Sequence, residues 1–284
     1  MNLLVVLIAL GLRQAGLGRE FSAVVMRLVR RWRDAWLARG LREGWNGAVT
    51  AGFIVLPPFL LVLAAFVALH GVFYGLPQSA LALAVMLVVL LDRRTPDTAA
   101  REQAAWFAAD EKSAGLLAQA EPAVLEAAAE GEFARARKDL LAEQLRELFA
   151  PLFWFLLLTP VAAVAYYFLR VAAEPGEQPA GVAARKLLHY ADWPVARVLA
   201  LSFALAGDFV ATWQHWRRHV LDNDITAVLL LDESATAAQA VDLRITAETL
   251  PGPVLVNALA AVAALLQRAL VIWVVLLALH TLWP

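Results

Sequence analysis

The chain has 284 residues, 61% of them hydrophobic and 17% charged, with a formal net charge of −1. That leaves too little polar material to coat a soluble domain of this size, so composition places the chain among integral membrane proteins with polar segments between the spans. A near-neutral charge offers no field for nucleic acid, and the absence of cysteine excludes disulfides and thiolate chemistry.

Residues 3–12 are apolar and end at Arg13, without the positive start and small-residue end of a signal peptide. They predict a short or tilted first membrane helix over 1–17. The loop at 13–47 carries eight arginines against three acids, interleaved with Trp32, Trp36 and Leu37. Such a segment predicts an amphipathic helix in the headgroup region, and its arginine excess marks it as cytoplasmic. Residues 48–70 form the clearest span, which Pro57 and Pro58 should bend or break. A reversal at "GVFYGLPQ" leads into a returning helix over 79–91. These elements make up an N-terminal membrane region, 1–91.

Residues 92–148 are rich in alanine, glutamate, arginine and leucine, and read as a cytoplasmic helical region. Residues 149–284 form a C-terminal membrane region with a polar segment at 211–252. Within it, 149–171 predicts a span closed by Tyr166 and Tyr167, and 194–213 either crosses with Arg197 and Asp208 turned into the bundle or enters partway and returns. The last apolar run, 253–283, is interrupted by Gln267 and Arg268. Arg268 is expected either to snorkel at the inner interface or to turn inward toward a carboxylate such as Asp208. The fold class is therefore all-α, a polytopic membrane protein with about five membrane helices and a cytoplasmic helical segment.

Phosphate-binding loops, nucleophile elbows and zinc-protease motifs are missing from the sequence, and no catalytic residue is assigned. One polar constellation emerges if a single helix runs from Pro194 to Asp222. At ~100° per residue, Arg197, Asp208, His215, His219 and Asp222 then share one stripe. His215 and His219, four residues apart, with Asp222 a turn later, have metal-ligand spacing; the plainer reading is an interfacial helix facing headgroups.

Three segments in order, "GEFARARKDL", "FAPLFWFLLLTPVAAVAYYFLR" and "LLHYADWPVARVLALSFALAGDF", together resemble the AmpE family of inner-membrane proteins. That family is a branch of the superfamily that also holds the CobD/CbiB cobinamide-phosphate synthases. The resemblance covers most of residues 120–215. It implies a multi-pass protein of the bacterial inner membrane that modulates chromosomal β-lactamase induction in response to cell-wall state, without enzymatic activity or cofactor. The synthases carry an Asn-Thr-x-Asp-Gly motif before APLF. Here that stretch is "EQLRE", with Arg146 in place of the aspartate, while Pro194 and Arg197 keep the shared Pro-x-x-Arg segment.

On this reading Arg146, Asp192, Pro194, Arg197 and Asp208 frame a polar pocket, with the two arginines holding an anionic, muropeptide-like group. The expected partners are the lipid bilayer and such a ligand or a protein of the induction pathway. The alternative is a membrane-embedded transferase or ligase, descended from the cobalamin branch, that acts on an amine or cell-wall fragment.

Overall fold

The computed structural model describes residues 2–14, 19–70, 76–90, 122–174, 178–239 and 251–282. Every regular element among them is helical. The helices are α1 (Asn2–Gln14), α2 (Arg19–Glu43), α3 (Gly47–Ala68), α4 (Leu76–Leu90), α5 (Pro122–Gln144), α6 (Ala150–Leu158), α7 (Pro160–Ala173), α8 (Pro179–Ala206), α9 (Phe209–His219), α10 (Ala227–Ala238) and α11 (Pro251–Leu282). A π-helical turn, Leu145–Phe149, joins α5 to α6. The start of the expected cytoplasmic region, 92–121, and the end of the polar segment, 240–250, lie outside the described residues.

The chain divides into two compact units. The first comprises Met1–Arg93, Leu145–Val195 and Val274–Pro284. In it α7 packs against α2, α3 and α4, and α1 packs against α4. A core of Met26 and Val29 from α2, Val85 and Val89 from α4, and Val164, Tyr167 and Val171 from α7 is closed to solvent. The arginines of α2 at 27, 30, 31, 39 and 42 lie on its exposed side. Met26, Val29 and Leu37, spaced at helical period, form its buried side.

Two helices, Gly47–Ala68 and Asn257–Leu279, are long and apolar enough to cross a membrane. Leu3–Arg13, Leu76–Leu90 and Pro160–Ala173 are shorter apolar helices. Only 11% of the apolar window in α3 is buried within the chain, and Leu56, Leu60, Leu61 and Val67 stand more than half exposed. Length, composition and exposure make α3 a candidate membrane helix.

Pro57 and Pro58 do not break α3. Proline at 58 deprives the Ile54 carbonyl of its ordinary helical donor. The Trp32 indole of α2 supplies the missing hydrogen bond, donating from Nε1 to Ile54 O at 3.2 Å. The two prolines, Trp32, Leu28, Leu61 and Phe168 line an apolar cleft of about 240 Å³.

Two expected spans are corrected. The run at 149–171 is not one helix: it turns at Thr159, and α6 and α7 fold against each other. Thr159 sits at φ 131°, a conformation that costs a β-branched residue energy, and Pro160 opens the next helix at a first-turn position. Alone, the nine residues of α6 reach only ~13 Å, under half a hydrocarbon core.

Nor does one helix run from 194 to 213. Helix α8 begins at Pro179, carries Pro194 in its interior and ends at Ala206. A Cβ at Gly207 would meet the Ala238 carbonyl oxygen at 2.4 Å. The Asp208 amide then donates to that same carbonyl at 3.0 Å. The close approach to the end of α10 forces the chain to turn there.

The second unit comprises Arg94–Gln144 and Ala196–Trp273. Its α10 packs on α5 and on α9. Arg137 of α5 lies over the Phe133 ring and pairs with the buried Asp232 of α10 at 2.6 Å, with Lys138 further off at 3.8 Å. Trp273 donates to Ser202 Oγ at 2.8 Å, joining α11 to the end of α8 inside this unit.

Candidate functional site

In the first unit the buried polar chemistry gathers around Asp192, which is 1% exposed on α8. Tyr166 of α7 donates its hydroxyl to Oδ1 at 2.6 Å. Arg146, on the π turn, donates from Nε to Oδ2 at 3.2 Å. Its neighbour Glu147 accepts from Arg170 Nη1 at 3.1 Å, a pair also shielded from solvent. The wider π turn presents Arg146 toward α8 and Glu147 toward α7, and such single π turns recur at functional positions.

Burial pushes the Asp192 carboxyl above the ordinary carboxylate range, while the Tyr166 hydrogen bond and the Arg146 charge pull it down. Arg146 keeps 43% of its side chain exposed. The buried Asp192 carboxylate is therefore balanced by a guanidinium that keeps an exposed edge. A fork of this kind can take a carboxylate or phosphate from outside without stripping Asp192 of Tyr166.

Arg146 and Asp192, named together from the sequence, thus form a direct ion pair. Tyr166, expected only as an interfacial aromatic, and Glu147 and Arg170, to which the sequence assigns no role, complete their network. A tyrosine and an arginine four residues apart on an otherwise apolar helix were the available signal.

Arg197 and Asp208 do different work, in the second unit. Arg197 is 4% exposed and donates to the backbone carbonyls of Val220 and Asp222, holding the turn after α9. Its own carbonyl accepts from the Trp216 indole at 2.9 Å. Asp208 is the N-cap of α9, accepting from the Ala211 amide at 3.0 Å. Pro194 contributes no polar side-chain atom. The expected stripe of Arg197, Asp208, His215, His219 and Asp222 does not exist as one helix face, because the helix ends at Ala206 and restarts at Phe209.

His215 and His219 do stay together on α9, with ring centroids 4.6 Å apart. Asp222 lies beyond the helix and accepts from the Asp224 amide at 2.9 Å. The carboxylate that approaches the histidines is Glu233 of α10, with Oε2 3.1 Å from His215 Nε2. Burial holds His215 below the ordinary histidine value, the adjacent His219 and Arg218 add to this, and Glu233 opposes it. Arg268 is exposed on α11 and donates to Ala264 O of its own helix, and among the described residues it meets no carboxylate.

Comparison with known protein families, with characterised proteins and with solved structures finds no match to this chain.

Proposed function

We propose that the chain is a multi-pass protein of the bacterial inner membrane, AmpE-like in character, that modulates β-lactamase induction in response to cell-wall state. Five apolar helices, α1, α3, α4, α7 and α11, meet the bilayer on this reading. The basic side of α2 then rests on anionic headgroups at the cytoplasmic face.

One observation carries the proposal: two of the segments that bear the resemblance supply Tyr166 and the buried Asp192, and Arg146, from the stretch just before APLF, closes their network. Arg146 stands where the cobalamin synthases place a carboxylate, and here its charge is matched by Asp192. A carboxylate-dependent ligase chemistry loses its group in that exchange, whereas a binding site for an anion gains one. The ligand is a small anionic cell-wall fragment held at the exposed edge of Arg146. Arg197 and Asp208 contribute to the fold of the second unit and not to this ligand.

The test is the β-lactamase level, under an inducing antibiotic, of a deletion strain complemented with the parent or with Arg146→Ala. The expected result is failure of the variant to restore the parental response at equal abundance in the membrane fraction. Full activity of the variant contradicts the ligand site. Mass spectrometry of muropeptides and lipids from the deletion strain separates the enzyme alternative, which predicts a single accumulating precursor.

A further inference from the structure

Three side chains on two helices of the second unit converge in a way the proposed function does not use. One ligand atom from each of His215, His219 and Glu233 lies within 4.8 Å of the other two. The histidines are half-buried and Glu233 is exposed, so the cluster has a closed floor and an open side. His215 Nε2 is buried and lies 3.1 Å from Glu233 Oε2, but the contact lacks hydrogen-bond geometry, and among the described residues the nitrogen meets no other bonding partner. A buried ring nitrogen without a proton acceptor or donor is costly unless something else fills its lone pair.

His219 is oriented for the same task. Its Nδ1 lies 3.1 Å from the His215 backbone oxygen, one helical turn back. Donation of the Nδ1 proton to that carbonyl fixes the tautomer and leaves Nε2 with a bare lone pair. A backbone carbonyl behind a ligating imidazole is the usual supporting contact of histidine metal sites.

We propose that His215, His219 and Glu233 bind a divalent transition-metal ion of the zinc class, with two imidazole nitrogens and one carboxylate oxygen as protein ligands. Ligands at ~2.1 Å from a tetrahedral ion sit ~3.4 Å from one another. The His215–Glu233 separation already meets that spacing, and rotation of exposed Glu233 and of the His219 ring closes the rest. Two nitrogens and one oxygen suit zinc, cobalt or nickel over magnesium or calcium, which take all-oxygen sites. Three protein ligands leave the fourth position to water on the open side. Such a site ties α9 to α10, two helices otherwise joined by the turn that Arg197 holds.

The experiment uses the full chain, purified in detergent through an affinity tag free of histidine. It titrates Zn²⁺ by calorimetry and Co²⁺ by visible absorption. The expected result is a single ion per chain and a cobalt spectrum of low-coordinate nitrogen–oxygen type. Glu233→Gln and His219→Ala each weaken binding about ten-fold or more, the scale on which even supporting contacts of such sites act. Asp222→Asn binds as the parent does. At one Zn²⁺ concentration the melting temperature of the parent rises more than that of Glu233→Gln, while the two metal-free proteins melt alike, which separates metal binding from a folding defect. Stoichiometric binding that survives Glu233→Gln, or is lost in Asp222→Asn, overturns the assigned ligands. No saturable binding by the parent overturns the site.

Discussion

The Tyr166 hydroxyl donates to Asp192 Oδ1 at 2.6 Å, across an interface from which solvent is excluded. That length is typical of a hydroxyl bonded to a carboxylate. The bond matters more for what its loss would leave behind than for its own strength. Tyr166→Phe is expected to destabilise the chain by about 1–3 kcal/mol, the cost of an under-satisfied buried acceptor. Asp192→Ala should cost more, because it strands both Tyr166 and Arg146, and Asp192→Asn should cost least. Chemical denaturation in detergent, followed by tryptophan fluorescence, ranks the three. The same carboxyl carries a pH signature. Burial raises its folded value, so its contribution to stability is fully present below the unfolded carboxylate value and is lost as pH rises through the folded one. Asp192→Asn should flatten the stability curve across that window.

Trp32 is bound to α3 through a hydrogen bond that proline makes necessary. With Pro58 four residues after Ile54, no helical amide is available to the Ile54 carbonyl. Trp32→Phe keeps the ring in the cleft and removes the donor, so ~1–3 kcal/mol should be lost. Trp32→Phe combined with Pro58→Ala should recover part of it, since alanine restores the helical donor. A double-mutant cycle on melting temperature reads the coupling; additive losses would show that Trp32 acts by packing alone.

Arg197 anchors the turn after α9 with charged hydrogen bonds to two carbonyls. Arg197→Ala should cost about 1.5–3 kcal/mol, and Arg197→Lys should rescue little, because a single ammonium cannot reproduce the fork. Limited proteolysis should show faster cleavage near 220–226 in both variants. An unchanged pattern would remove the anchoring role.

Gly207 and Gly131 should respond in opposite directions to alanine. At Gly207 the added carbon meets backbone at 2.4 Å, which cannot yield as a flexible side chain would. A loss of about 1–3 kcal/mol is expected there. Gly131 is exposed within α5 and its added carbon touches nothing within 4 Å. Alanine at 131 should therefore stabilise by about 0.5–1 kcal/mol, through backbone entropy. Parallel thermal melts of the two variants check the pair.

Hydrophobic runs made α3 and α4 legible, whereas proline placement misled, because Pro57, Pro58 and Pro194 all lie inside helices. Residues 48–70 and 79–91 were expected as helices, and α3 and α4 span Gly47–Ala68 and Leu76–Leu90. The turn at Thr159 was hard to read from hydrophobicity, because the apolar run continues through it. Thr159–Pro160 held a local signal, since the residue before proline resists the helical region. Gly207–Asp208 held one too, a glycine after the last helical residue followed by an N-cap aspartate, although the close approach of Ala238, distant in sequence, was not readable. The same limit governs the histidine cluster. Spacing along one helix pointed to Asp222, whereas the carboxylate that approaches belongs to another helix.

The central claim, that this chain is embedded in the inner membrane with its arginine-rich helix inside, is tested most directly by cysteine accessibility across α3. The sequence has no cysteine, so single substitutions need no background removal. Arg42→Cys and His70→Cys bracket the helix at exposed positions. An impermeant maleimide applied to spheroplasts should label the cysteine at 70 at once and that at 42 only after the membrane is opened. Equal labelling of both in intact spheroplasts, or recovery of the chain in the soluble fraction, would contradict the account.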